Sequence, residues 1–155
     1  DPKQRTGQST RGATHLIKVA CETATGKRAH MEVFGTDYGT PDGTCIRDYI
    51  HVTDLVNAHY LALTHLRGGG ESLVANCGYG QGYSVRGVIK AVKRVSGQDF
   101  KVVESGRRPG DPVAIVANPE RCFKMLGWRP AHADLEEIVR HALAWEELLA
   151  RRNRV

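Results

Sequence analysis

Asp42-Gly43-Thr44-Cys45-Ile46-Arg47-Asp48-Tyr49-Ile50-His51-Val52-Thr53-Asp54-Leu55 runs from a turn through a strand into a helix. Asp42 and Gly43, like Asp37 before them, read as turn residues. Cys45 to Val52 then alternates toward a strand, with Ile46, Ile50 and Val52 as its apolar members. Thr53 is placed to cap the following helix, and Asp54 in its first turn suits the helix dipole. That helix carries Leu55, Val56, Ala58, Tyr60, Leu61, Ala62, Leu63 and Leu66 before Gly68-Gly69-Gly70 ends it. So wide an apolar set predicts burial on more than one side.

The same alternation continues outward. Upstream, residues 1 to about 13 lack periodicity and read as loop. Leu16, Ile17, Val19, Ala20 and Ala24 predict a short helix ending near Gly26, and Met31 to Phe34 a strand stopped by Gly35. Downstream, Ser72 to Cys77 has the short apolar run of a buried parallel strand. Ser84 caps a helix bearing Val85, Val88, Ile89, Val92 and Val95 at helical spacing. Phe100 to Val103 and Val113 to Val116 are further strand candidates. Asn118, Pro119 and Gly127 bracket a helix as N-cap, first residue and stop. Asp134 and Glu137 open the last helix, which runs to about Arg151. Strands alternating with helices predict an α/β fold with some parallel sheet.

At 155 residues the chain is one domain or a fragment of something larger, and 41% hydrophobic with 25% charged residues is ordinary for a globular protein. No apolar run approaches the roughly 20 residues of a membrane span, and the start has no apolar signal core. A soluble, cytoplasmic protein without a membrane partner is expected. Lys and Arg outnumber Asp and Glu by 22 to 17, and the resulting +5 favours anionic partners. Some of that excess sits in Arg151-Arg152-Asn153-Arg154, read as a solvated helix end. With 6% aromatics and no long run of like charge, a nucleic-acid partner is not expected. Cys21, Cys45, Cys77 and Cys122 form no C-x-x-C pair and read as reduced, buried small hydrophobes. The histidines form no H-E-x-x-H, so no metal is expected.

Three stretches hold more polar and glycine residues than packing explains. Phe34 to Val52 returns from a Gly/Asp-rich loop into Arg47-Asp48-Tyr49, which either holds one cation over a concave surface or is a turn followed by a weak surface pair. Arg107-Arg108-Pro109-Gly110-Asp111-Pro112 sets two guanidinium forks on a stiff loop, suited to a diphosphate. There Asp111 can orient an arginine or accept from a sugar hydroxyl. Gly78-Tyr79-Gly80-Gln81-Gly82 has G-x-G-x-G spacing, with Tyr83 where a dinucleotide loop needs its third glycine, so a tight turn into a helix is the better account. No serine lies in a G-x-S-x-G elbow, and no tyrosine is followed four positions later by lysine.

In order along the chain, His15-Leu16-Ile17, Val33 to Tyr38, Asp42 to Leu55, Asn76-Cys77-Gly78, Ser84-Val85, Arg107 to Pro112 and Leu126-Gly127-Trp128 resemble the C-terminal half of the bacterial UDP-glucose 4-epimerase family. These are extended short-chain dehydrogenase/reductases. The D-G-T-x-x-R-D-Y-I-H-V-x-D-L string carries most of the specificity. The resemblance implies that residues 1–155 are a UDP-sugar-binding half that includes the final strand and helices of the Rossmann sheet. An N-terminal Rossmann domain, with the NAD loop and the catalytic Tyr-x-x-x-Lys pair, is then absent from this chain. It further implies interconversion of UDP-glucose and UDP-galactose through a 4-keto sugar, with NAD as cofactor, in a full-length enzyme that can form a homodimer.

Carried over residue by residue, Arg47 and Arg108 would clamp the diphosphate and Asp111 would contact the ribose. Backbone and ring atoms around Glu32, Val33 and Phe34 would frame the uracil, and His15 and Leu16 occupy positions of uridine-diphosphate contact. Ile115 stands at the position that gates the sugar pocket. The sequence departs from the family at Lys18 and Gly39, where proline is usual, predicting looser backbone at both, and at His15, where asparagine is frequent. Half of another nucleotide-sugar enzyme, a 4,6-dehydratase or a pentose or uronate epimerase, is the nearest alternative. A non-catalytic basic interaction module is the alternative of another class.

Overall fold

The computed structural model describes residues 1–152; Asn153 and Arg154, read above as part of a solvated helix end, lie outside them. Helix α1 (Leu16–Ala24) leads to strand β1 (Met31–Phe34), short strand β2 (Ile46–Arg47) and helix α2 (Val52–Arg67). Strand β3 (Tyr83–Ser84) runs directly into α3 (Val85–Ser96), followed by β4 (Val102–Ser105) and β5 (Ala114–Ile115). Helices α4 (Glu120–Leu126) and α5 (Leu135–Arg152) complete the α/β arrangement.

Two small sheets result. Strand β1 pairs in parallel with β4, Met31 opposite Val102 and Phe34 opposite Ser105. Strand β2 lies between β3, antiparallel, and β5, parallel. The main core sits where α1, α3 and α5 pack on β1, burying Ala20, Cys21, Met31, Val33, Val88, Val92 and Val139. A second cluster joins α2 to α4 through Ala58, Cys122 and the fully buried Trp128.

Local signals fix several boundaries. Ser84 Oγ accepts from the Gly87 N–H at 3.0 Å, opening α3. Asp134 Oδ1 accepts from the Glu137 N–H at 2.7 Å, opening α5. Two caps differ from expectation. The residue capping α2 is His51, whose Nδ1 accepts from the Thr53 N–H at 3.0 Å. Asn118 Oδ1 accepts from the Glu120 N–H, so Asn118 and Pro119 both precede α4.

The strands differ more. The expected strand from Cys45 to Val52 shortens to Ile46–Arg47, because its neighbours β3 and β5 are equally short and Asp48 turns its side chain to other partners. The strand from Val113 to Val116 shortens to Ala114–Ile115, and that from Phe100 shifts to begin at Val102. Residues 72–77 pair with no strand among the described residues, and Val74 is 81% exposed. Nor is α2 buried on several sides: Val56, Tyr60, Leu63 and Leu66 are exposed, and only Asp54 and Ala58 are buried. Lys18, expected to loosen the backbone, lies inside α1, buried and ion-paired with Glu22 and Glu146. Its ammonium is held above the usual range: burial opposes the charge, but hydrogen bonds to Glu146 and Glu22 outweigh it. Cys21, Cys45 and Cys122 are buried free thiols and Cys77 is partly so.

Candidate functional site

A polar cleft of about 590 Å³ opens between α1, the edge of β1, the end of β2 and the loop after β4. That volume falls within the range of small-molecule sites, roughly 300–1,000 Å³. Leu16, Glu32, Phe34, Arg47, Arg108 and Asp111 all line it. Arg47 at the end of β2 and Arg108 on the loop after β4 therefore face one space.

Arg47 is fixed by the strand beside it. Its guanidinium donates to the carbonyls of Ile46 at 2.7 Å and Pro112 at 2.9 Å, and lies 3.5 Å from Asp111 Oδ1. Asp111 thus orients an arginine, one of the two roles its position allowed. Arg108 is fixed differently, its guanidinium carbon 3.6 Å from the centroid of the Phe34 ring. Stacking over a ring face holds a guanidinium flat while leaving its N–H edge free.

The adjacent Arg107 turns away. It donates through Nε to Asp37 Oδ1 at 2.7 Å and reaches the Asp37 carbonyl at 2.6 Å, over the Tyr38 ring. Its hydrogen bond holds the Asp37 carboxyl below the usual range. The two forks expected to act together on one loop thus diverge, and of the two it is Arg108 that faces the cleft with Arg47.

The side chains of three other expected residues do not line the cleft. Val33 points into the core. Ile115 pairs with Arg47 across β2 and β5, its side chain exposed. His15 bonds Gln8 at 2.8 Å and faces a neighbouring apolar hollow with Ile17, His51 and Trp145. Conversely, Arg28 and Tyr49 line the cleft without having been singled out. Arg28 donates to the Ala13 carbonyl at 2.9 Å and to Glu22 at 2.6 Å, holding the wall before α1. Burial, with the neighbouring Cys45, pushes the Tyr49 phenol up to about 12, so it stays protonated. The Arg-Asp-Tyr string pointed at Tyr49; nothing in local spacing pointed at Arg28.

Asp48 is no surface ion pair. Its carboxylate accepts from the backbone N–H groups of Tyr79 and Gly80 at 3.0 Å and Ala117 at 3.3 Å. A Cβ on Gly78 would lie 2.6 Å from Asp48 Oδ2, and one on Gly82 2.4 Å from Ile46. The glycines are there so that the turn can close around this carboxylate. A pyrophosphate needs such N–H groups free at a helix N-terminus, and here the chain's own anion takes them. The residues of this turn do not fit a dinucleotide.

The loop leading into β2 is organised by Asp42, which accepts from Thr44 Oγ1 at 2.7 Å and Ser84 Oγ at 2.5 Å. Burial opposes its charge, yet these bonds hold the carboxyl below its usual range. Gly43, at φ +78°, lies so close to Thr36 that a Cβ would meet its carbonyl oxygen at 2.1 Å.

The NAD dependent epimerase/dehydratase family matches residues 3–78. A UDP-glucose 4-epimerase of Azospirillum brasilense is 58% identical over 96% of this chain and 43% of its own length. Among solved structures, UDP-glucose 4-epimerase from Brucella ovis in complex with NAD superposes with TM-score 0.88 at 43% identity, covering 93% of this chain and 44% of that one. The Bifidobacterium longum UDP-glucose 4-epimerase in complex with NAD+ and UDP gives TM-score 0.89 at 35% identity, over 96% of this chain and 44% of that one. The chain thus spans less than half the length of the relatives it matches. In sequence and in fold, it is similar to the UDP-glucose 4-epimerases over that part of their length.

Proposed function

We propose that this chain is the UDP-sugar-binding half of an NAD-dependent UDP-glucose/UDP-galactose 4-epimerase, inactive alone. The observation that carries this is the convergence of Arg47 and Arg108 on one cleft. Two permanently charged forks on fixed supports suit the paired oxygens of a diphosphate. Asp111, with one oxygen on Arg47, has another free for a ribose hydroxyl. Glu32 and Phe34, with the backbone of Val33, frame the uracil on the edge of β1. Leu16, on the wall of the cleft, contacts the uridine diphosphate from the start of α1. The nucleotide supplies the binding energy while the sugar stays free to turn over.

NAD, held by the remaining part of the relatives' length, supplies the hydride acceptor for the sugar C4. Two apolar features support a missing neighbour here: the exposed face of α2 through Val56, Tyr60 and Leu63, and the unpaired run of residues 72–77. We place the NAD-binding Rossmann half against them. Calorimetric titration of the chain with UDP tests the binding reading, which fails if no saturable heat appears. Addition of NAD+ and UDP-galactose should give no UDP-glucose; turnover would show that the catalytic groups lie within these residues.

A further inference from the structure

We propose that Asp48 is a positioning residue for the two arginines of the cleft, acting through the segment 107–117. The inference rests on the proposed diphosphate role of Arg47 and Arg108. Asp48 follows Arg47 directly at the end of β2, where its N–H donates to the Ile115 carbonyl at 3.1 Å. Its carboxylate bonds the Ala117 N–H, two residues farther along the same segment. That segment also carries Arg108, stacked on Phe34, and Asp111 and Pro112, the two groups that hold the Arg47 guanidinium. One end of the segment is therefore tied to Asp48 and the other bears the cleft's polar groups.

The other two bonds of the carboxylate, to Tyr79 and Gly80, fix Asp48 itself. Loss of its charge leaves three N–H groups sharing a neutral acceptor with a donor in place of its second oxygen. Sliding of β5 along β2 is then less opposed. Such a slide carries the Pro112 carbonyl and Asp111 away from Arg47, and Arg108 away from Phe34. The uracil end of the cleft is built on β1 and α1, which Asp48 does not touch, so a slide leaves it in place.

The test compares UDP with uridine, two probes that differ in the diphosphate alone. In the 155-residue chain, Asp48→Asn should weaken UDP about tenfold, the effect of roughly 1.4 kcal/mol. Uridine affinity should change less than about twofold, well under 1 kcal/mol. Asp42→Asn removes a carboxylate that organises the same sheet without touching segment 107–117. It should lower thermal stability and leave the UDP-to-uridine ratio unchanged. Gly78→Ala, which presses a methyl group onto Asp48 Oδ2, should reproduce the selective loss and replaces Asp48→Asn if that variant does not fold. Equal weakening of both probes, or no change in the ratio for a folded variant, overturns the inference. Failure of the unsubstituted chain to bind UDP overturns the proposed function instead, and the inference with it.

Discussion

The guanidinium carbon of Arg108 lies 3.6 Å from the centre of the Phe34 ring, so a cation in the cleft stands on a platform supplied by β1. Exposed cation–π pairs contribute roughly 0.5–1 kcal/mol. Phe34→Leu should therefore weaken UDP binding by about 1 kcal/mol while leaving the fold intact. Arg108→Lys should lose more, because an ammonium neither stacks flat nor offers a fork. Calorimetry on both variants checks the order; a lysine variant that binds as well as the original would refute the stacked-fork geometry.

Removing either fork outright is a stronger test. Arg108→Ala and Arg47→Ala should each weaken UDP by about 2 kcal/mol or more, the scale of a charged hydrogen-bond partner. Arg107→Ala, whose guanidinium is bound to Asp37 outside the cleft, should change the affinity much less. An Arg107 effect as large as that of Arg108 would reassign the clamp.

His51 makes stability fall in acid. Burial comes first in lowering its pKa to about 4, and the neighbouring His132 and His141 rings add to the shift. Its Nδ1 accepts from the Thr53 N–H, and its Nε2 lies 3.0 Å from His141 Nδ1, an arrangement that suits a neutral ring donating to His141. In the unfolded chain the same imidazole titrates near its ordinary 6.5. Between those values the unfolded state binds more protons, so stability is fully present above about pH 6.5 and declines as pH falls toward 4. Urea midpoints over that interval should drop, and His51→Gln should flatten the dependence at the cost of a lower plateau.

Asp54 ties α2 to the entry of α5. Its buried carboxylate accepts from Tyr79 Oη at 2.6 Å and from the N–H groups of Ala131 and His132, each at 2.9 Å. Burial disfavours the charge, but these bonds outweigh it and hold the carboxyl below its usual range. Asp54→Asn should destabilise by about 2 kcal/mol, and Tyr79→Phe, which removes both the donor to Asp54 and the acceptor of the His51 N–H, by a similar amount. Thermal or urea unfolding of both gives the comparison. The Asp54 contribution should persist above about pH 4 and be lost as acid protonates the folded carboxyl.

The apolar face of α2 predicts self-association of the isolated chain, since large exposed apolar patches seek cover. Tyr60 is 65% and Val56 61% exposed. Val56→Glu with Leu63→Glu should shift the chain toward monomer in sedimentation velocity, with little loss of stability because neither side chain is buried. A monomeric original chain at high concentration would contradict this.

Much of the helical framework is legible because its signals are local. Ser84 and Asp134 cap the helices they precede, and the helical spacing of Val88, Ile89 and Val92 marks the buried face of α3. Strands are less legible because their extent depends on partners far away in the chain. The run from Ser72 to Cys77 has strand composition, but no described strand lies beside it. His51 capping α2 was hidden because imidazole is an uncommon cap and Thr53 offered a commoner one. At the cleft, spacing alone suggested a guanidinium loop but not which fork would turn inward; Asp37 and Phe34 decide that. The carboxylate of Asp48 inside a glycine turn left no nearby trace, although the glycines announced a tight turn.

Arg107 and Arg108 face opposite ways from adjacent positions, and this asymmetry has a thermodynamic result. With its first guanidinium bolted to Asp37, the loop reaches its working shape during folding. The second guanidinium then waits on its ring with its torsions already surrendered. For the proposed diphosphate, part of the entropy of arranging the loop is then lost before the encounter.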